Sequence, residues 1–511
     1  MDNKRLPFNL LTILLISLCV SFQVFSQKIQ LDVGKTYQTI HSFGASDCWS
    51  MAMVGKYYPE SKKKQIAEWL FSREKDGLGN PKGIGLSMWR FNIGAGSTEQ
   101  GKESKITSEW RRSESFYSSG KYDWTKQEGQ RWFLEAAKQH NVPYTLGFLN
   151  SSPVQMTQNG LTFGSGKLGE WNFNKEKIEE WTSFITTVTN HFQFNYVSPF
   201  NEPQWDWGPN KSGVASQEGS SINNTDIAWA SKLLAEKFQH TKTKAKIVIP
   251  EAGQLNYLFK QNTNRPNQDN QLVSFFSPNE ATYLGNLPTV EKIISGHSYF
   301  TTSPERTLID LRQQLETQRS KANVDFWQSE YCILGDNAGE IKGNGVDLGM
   351  KTALYVAKVI HADLVHANAS SWSWWLAVSA NDYKDGLIYI FNGENKGEND
   401  QNKFDADLYD SKTLWALGNY SQFIRPGMKR FEATIDQPKC LISGYKDQNS
   451  TILVLINSGD DFDLNISSLT SKQKIDSYTT SSTQNLTHQV AFTNQVRLSA
   501  NSITTLVIEA K

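Results

Sequence analysis

The chain has 511 residues, 38% hydrophobic, 12% aromatic and 20% charged, the profile of one large globular domain or two smaller ones, and this excludes disordered and collagen-like classes. Fifty-two basic against 52 acidic side chains give zero formal charge, which argues against a nucleic-acid partner and for a neutral one. Sixteen Trp, 18 Tyr and 27 Phe supply flat faces that serve equally for stacking on a ligand and for filling a large core.

Residues 1–26 read as a secretory signal peptide: basic Lys4 and Arg5, an apolar stretch, then small Ser26 ahead of Gln27. That stretch is too short to span a bilayer, and no later segment offers about 20 uninterrupted apolar residues. The mature chain is therefore expected to be exported, periplasmic or secreted, without an integral membrane segment. Cys19 raises a lipid anchor as an alternative, but it follows Leu18 where a small residue belongs. Cleavage leaves 50 basic against 51 acidic side chains and three cysteines, Cys48, Cys332 and Cys440. Three is too few for a disulfide framework and none makes a C-x-x-C pair, so buried thiols are expected and no zinc site.

Between residues 40 and 380, short apolar runs alternate with amphipathic stretches. The spacing predicts strands at 40–46, 86–93, 144–150, 196–201, 246–250, 293–299, 325–330 and 370–376. Helical patterns fall between them at 130–140, 178–192, 227–238, 307–318 and 349–367. Eight such alternations predict a (β/α)₈ barrel over 40–427, with a doubly wound open sheet as the competing fold. After Arg425-Pro426-Gly427 the pattern turns to short alternating strands such as 451–456 and 502–508, which predicts an antiparallel β-sandwich over 428–511. The alternation of 28–33, within a segment 27–39, allows the N-terminal strand to join that sandwich.

A parallel barrel collects its active site at the carboxyl ends of its strands. The fourth predicted strand closes Val197-Ser198-Pro199-Phe200-Asn201-Glu202-Pro203, and the seventh closes Phe326-Trp327-Gln328-Ser329-Glu330-Tyr331. Each delivers one glutamate across the barrel mouth. Glycoside hydrolysis needs such a pair, one carboxyl giving a proton to the leaving oxygen while the other, ionised, attacks the anomeric carbon. Glu202 is assigned as acid/base and Glu330 as nucleophile. Pro203 biases Glu202 away from helical geometry, toward an extended or turn conformation.

Asn201-Glu202-Pro203 and Ser329-Glu330 resemble the acid/base and nucleophile motifs of the retaining (β/α)₈ glycosidases. Together with Ser42-Phe43-Gly44-Ala45-Ser46, Trp89-Arg90-Phe91-Asn92-Ile93-Gly94 and Phe423-Ile424-Arg425-Pro426-Gly427, they make the whole mature chain resemble glycoside hydrolase family 30. The resemblance implies a sandwich built from both chain ends. It also implies that Asn201 bonds the sugar 2-hydroxyl, that Arg90 keeps the nucleophile ionised, and that Tyr299 is aimed at it. Asn201-Glu202-Pro203-Gln204-Trp205-Asp206-Trp207, followed by Gln217-Glu218-Gly219, looks most like the endo-β-1,6-galactanase group, with β-1,6-glucanase, xylanase and glucosylceramidase as alternatives.

His297, Asp47, Trp49, Trp205 and Trp374 are further candidate sugar contacts, each with a structural alternative. His297 can pack in the core, and the rings of Trp372 and Trp374 point to one side of a strand, where they can fill the interior. Gly164-Ser165-Gly166-Lys167-Leu168-Gly169 satisfies G-x-G-x-x-G but neither ends a strand nor opens a helix, and no Walker A, H-E-x-x-H or G-x-S-x-G sequence is present. His361 and His366 are wrongly spaced to share a metal. The expected partner is a polysaccharide or oligosaccharide, with no cofactor, metal or protein partner implied; calcium at a loop is left open. A catalytically silent glycan-binding protein is the competing function, and an esterase on an α/β fold a remote one.

Overall fold

The computed structural model describes residues 27–466, 474–491 and 495–509; the expected signal peptide lies outside them. Eight parallel strands form the centre: β1 (Ser42–Ser46), β2 (Met88–Asn92), β3 (Tyr144–Phe148), β4 (Tyr196–Ser198), β5 (Lys246–Ala252), β6 (Val290–His297), β7 (Asp325–Glu330) and β8 (Ser371–Ser379). Each pairs with its chain neighbour, and β8 pairs with both β7 and β1. The sheet is closed, which excludes the doubly wound alternative. All eight predicted strands are there, and the helix Ile178–Phe192 has the bounds its apolar spacing marks. The helix Asn224–Thr241 begins earlier than predicted, because the Asn223 side chain caps it by accepting from the Asp226 amide.

Alternation along each strand sorts side chains between the barrel axis and the surrounding helices. At the amino end His41 plugs the axis, stacked on Tyr144 (4.1 Å between ring centroids) and bonded through Nε2 to the Tyr196 hydroxyl at 2.9 Å. Above it Met88, Leu146, Val248, Ile293 and Trp327 make an apolar layer. Two residues beyond Met88 on the same face of β2 comes Arg90, fully buried, where the interior becomes charged.

Both chain ends build the second sheet. Gln27–Thr39 runs antiparallel to Lys429–Ile435, with Ile29 opposite Ile435. Its first residues run parallel to Phe462–Asn465, so this sandwich is not wholly antiparallel as expected. The strand Ser450–Asn457 is covered on both faces: Leu453 and Leu455 enter the sandwich core, while Ile452, Val454 and Ile456 join the cluster that packs the barrel. That continuity makes the sandwich a buttress for the barrel. The three cysteines are free and buried, as expected. Two strands outside the prediction, Gly386–Phe391 and Asp407–Asp410, extend the sheet beside β8.

Behind the end of β6 lies a buried ion pair. Arg312, from the helix Glu305–Ala322, donates through Nε to Asp363 of the helix Met350–His366 at 2.7 Å. Asp363 also accepts from Trp372 Nε1 at 2.9 Å and from Ser298 Oγ at 3.1 Å, and Ser298 sits between His297 and Tyr299. Removing one partner leaves an uncompensated buried charge, which typically costs about 3–5 kcal/mol. Asp363→Ala is therefore expected to lower the denaturant midpoint by that equivalent in equilibrium unfolding.

Candidate active site

The carboxyl ends of five strands converge on one cluster of ionisable groups. Arg90 on β2 donates from Nη1 to Glu330 Oε2 at 3.1 Å, and its Nη2 lies 3.5 Å from Glu251 Oε2. His297 on β6 has Nδ1 2.8 Å from Glu202 Oε1 and 3.6 Å from Glu330 Oε1, with Nε2 3.0 Å from Glu251 Oε2. Tyr299 donates its hydroxyl to Glu330 Oε1 at 3.0 Å. One carboxyl oxygen each of Glu202 and Glu330 lie within 4.8 Å of each other.

The backbone deviates from regular strand geometry to achieve this. β4 ends at Ser198, short of the predicted 201, and Glu202 follows in a left-handed conformation with φ of 43°, opening a turn in which the Trp205 amide donates to its carbonyl at 3.2 Å, the turn rather than the extended form of the expected backbone. Glu251 also has a left-handed φ, 57°, and the Glu202 amide donates to its carbonyl at 2.8 Å, so the two unfavourable conformations support one another. In β7 the pairing with β6 slips between Gln328 and Glu330, and the inserted residue turns Glu330 into the barrel where simple alternation would turn it out.

The charges offset one another. Burial raises the Glu202 carboxyl, and the neighbouring Glu330 adds to this against a lowering hydrogen bond from His297. Burial also disfavours the charged forms of His297 and Glu251, but their mutual bond, Arg90 and the other glutamates outweigh it. The imidazole is held up at about 10 and the Glu251 carboxyl down at about 2. A charged His297 donates from both ring nitrogens. Glu202, His297 and Glu330 bring three ligand-type atoms within 4.8 Å of one another, and both ring nitrogens of His297 are engaged by carboxyl groups, those of Glu202 and Glu251.

Asn201 donates from Nδ2 to Asn150 Oδ1 at 3.0 Å, Asn150 to Asn92 at 3.1 Å, and Asn92 to Ser113 Oγ at 2.9 Å. This amide chain orients Asn201, which lines the cleft, and its buried Oδ1 has no hydrogen-bond partner among the described residues. The cleft holds about 430 Å³ and is lined by Asn201, Glu202, Tyr299 and Glu330 together with Trp207, Trp375, Tyr383 and Asp385.

Other predicted residues lie elsewhere. Trp374 is 1% exposed, its ring beside Trp372 and its Nε1 donating to the Asp385 carbonyl; Trp375, on the opposite face of β8, lines the cleft instead. Trp49 is buried edge-on against Trp375. Asp47 lies beneath the site, accepting from the Asn92 amide at 2.8 Å. Trp205 is half-buried beside the cleft, edge-on to exposed Phe300. Glu218 is buried, clamping Ala95 and Ser97 of the loop after β2, with burial pushing its carboxyl up to about 7. Gly164-Ser165-Gly166-Lys167-Leu168-Gly169 lies in an irregular loop. Glu251 was outside the predicted site, although Ile249-Pro250-Glu251 carries the same signal as the ends of β4 and β7, an apolar strand running into a carboxylate.

The model of O-glycosyl hydrolase family 30 matches residues 26–389. An endo-β-1,6-galactanase from Hypocrea rufa is 22% identical over 434 residues, 80% of this chain and 78% of that one. A conserved exported protein from Bacteroides fragilis superposes with a TM-score of 0.86 at 32% identity, covering 94% of this chain and 99% of that one. The catalytic domain of a family 30 xylanase from Talaromyces cellulolyticus superposes at 0.67 with 19% identity, over 94% and 100%. With the family model spanning most of its length and the barrel and second sheet arranged as described, this chain belongs to O-glycosyl hydrolase family 30 and is a glycosidase.

Proposed function

We propose that the chain is an exported retaining β-glycosidase working by double displacement, with Glu330 as nucleophile and Glu202 as acid/base, and that it cleaves β-1,6-linked galactan internally. The observation that carries the reaction class is the separation of the Glu202 and Glu330 oxygens, within 4.8 Å across the cleft. Retaining enzymes hold their carboxyls about 5–5.5 Å apart, whereas inverting ones leave room for a water. In the first step a Glu330 oxygen attacks the anomeric carbon as Glu202 protonates the departing oxygen; in the second, Glu202 takes a proton from the water that releases the sugar. Arg90 and Tyr299 hold Glu330 through one oxygen each. The free Oδ1 of Asn201 suits the sugar 2-hydroxyl, a bond that strengthens as charge develops on the ring. The galactan substrate is supported by the motifs around Glu202 and Glu218 and by the similarity to a β-1,6-galactanase. Export is supported by the N-terminal basic and apolar segments and by the similarity to an exported protein. No helix among the described residues is long and apolar enough to cross a membrane.

Incubation with de-arabinosylated arabinogalactan, β-1,6-glucan and glucuronoxylan in parallel tests the substrate. β-1,6-Galacto-oligosaccharides are expected, and products from another glycan alone would overturn the galactanase reading while keeping the mechanism. Glu330→Gln is expected to fold and to abolish turnover; normal activity there would remove the nucleophile assignment. Glu202→Ala is expected to slow poor leaving groups by about 10²–10⁴-fold and activated aryl glycosides far less. An equal loss on both, measured as kcat/KM, would contradict the acid role.

A further inference from the structure

Double displacement uses two carboxyls, yet three glutamates are buried in this cluster. Glu251 has no exposed surface and does not line the cleft, so it cannot reach a substrate. Its carboxylate is nevertheless the most fully engaged of the three. Oε1 accepts from Ser198 Oγ at 2.7 Å, Oε2 faces His297 Nε2 at 3.0 Å and Arg90 Nη2 at 3.5 Å, and its own backbone amide is held by Ser295 Oγ at 3.0 Å.

We propose that Glu251 is a positioning residue that determines where the catalytic proton resides: by accepting from His297 and facing Arg90 it keeps the imidazole doubly protonated, so that the buried cluster is neutral only while Glu202 is protonated. This rests on the reading of Glu202 as the acid. The charge count carries it. Arg90 and His297 supply two positive charges; Glu251 and Glu330 supply two negative ones. Ionising Glu202 as well leaves a net negative charge in a buried site, which is disfavoured. The other titratable groups near the cluster do not alter the count. Burial pushes Asp47, Cys48, Cys332 and Tyr299 toward their neutral forms. His297 has carboxyl groups on both sides, and whenever Glu202 is ionised a neutral ring would set a lone pair against an anion whichever tautomer it took. The upward shift of His297 and the downward shift of Glu251 agree with this arrangement.

Replacing Glu251 by glutamine removes one negative charge, so the state in which Glu202 and His297 share a single proton becomes the neutral one. The working protonated state should then lose its proton at lower pH. On de-arabinosylated arabinogalactan, or on whichever of the three glycans is cleaved, the basic limb of kcat/KM in Glu251→Gln should move down by about one pH unit or more, with kcat reduced at least about tenfold. Glu251→Asp, which keeps the charge, should leave the limb closer to its native position. A limb that stays in place in Glu251→Gln while kcat falls would show a merely structural role and overturn the proposal. ¹⁵N-histidine labelling of the unsubstituted protein gives a readout that needs no Glu251 variant to fold. A ring with both nitrogens protonated should persist at about pH 8.5, where ordinary histidines are neutral, and should be missing in His297→Asn. A singly protonated His297 at that pH would overturn the proposal. The underlying reading fails separately: if Glu202→Ala loses activity equally on good and poor leaving groups, Glu202 is not the acid and both fall.

Discussion

The constraint on which this site depends is the neutrality of a buried charge cluster. Five ionisable side chains, Arg90, Glu202, Glu251, His297 and Glu330, meet at the carboxyl end of a barrel whose lower half is apolar and aromatic. An unpaired charge there costs several kcal/mol, comparable with the entire stability of an ordinary domain of about 5–15 kcal/mol. The groups are tolerable only because each faces an opposite charge or a donor. Arginine suits β2 because its guanidinium remains charged when buried and can face two carboxylates at once, while its flat face lies over Phe148 at 4.5 Å.

Holding five groups to that geometry requires rigid supports outside the cluster. The ion pair of Arg312 and Asp363 bonds Ser298, the residue between His297 and Tyr299, and so fixes the end of β6 from behind. The amide chain from Ser113 through Asn92 and Asn150 to Asn201 fixes the loop after β4 from the opposite side. Further out, the second sheet covers the barrel through Ile452, Val454 and Ile456, on the opposite face of a strand that also fills the sandwich core. The chemistry depends on separations of a few tenths of an ångström, and successive layers of packing maintain them.

The barrel was legible because its signals are local: eight apolar runs of strand length separated by helical spacing, each bounded by turn residues. Glu202 and Glu330 were legible because they immediately follow two of those runs. Glu251 follows a third such run, so its position carried the same signal; its inward orientation was not legible. Period-two alternation assigns each side chain a face only while pairing stays regular, and the pairing slips within β5, β7 and β8 near their carboxyl ends. In β8 the face itself was undetermined: Trp372 and Trp374 take the side that packs with Phe43 and Ala45, and alternation gives Trp375 the other side, which lines the cleft. Glu251 follows Pro250 in a left-handed backbone that no spacing rule anticipates. Single-residue irregularities of this kind arise from the packing of the rim as a whole, so a local reading of the chain passes over them.

This division also separates reaction from substrate. The charge cluster is carried mainly on strand ends, where barrel closure dictates position. The cleft above it is shaped by loops: Arg111 from the segment after β2, Trp207 and Gln217 from the long connection after β4, and Leu334, Asn381, Tyr383 and Asp385 from the segments after β7 and β8. Loops tolerate insertion and substitution far better than paired strands. The loop side chains that line the cleft wall are therefore free to vary without disturbing the charge cluster beneath them, because they hang from connections rather than from paired strands.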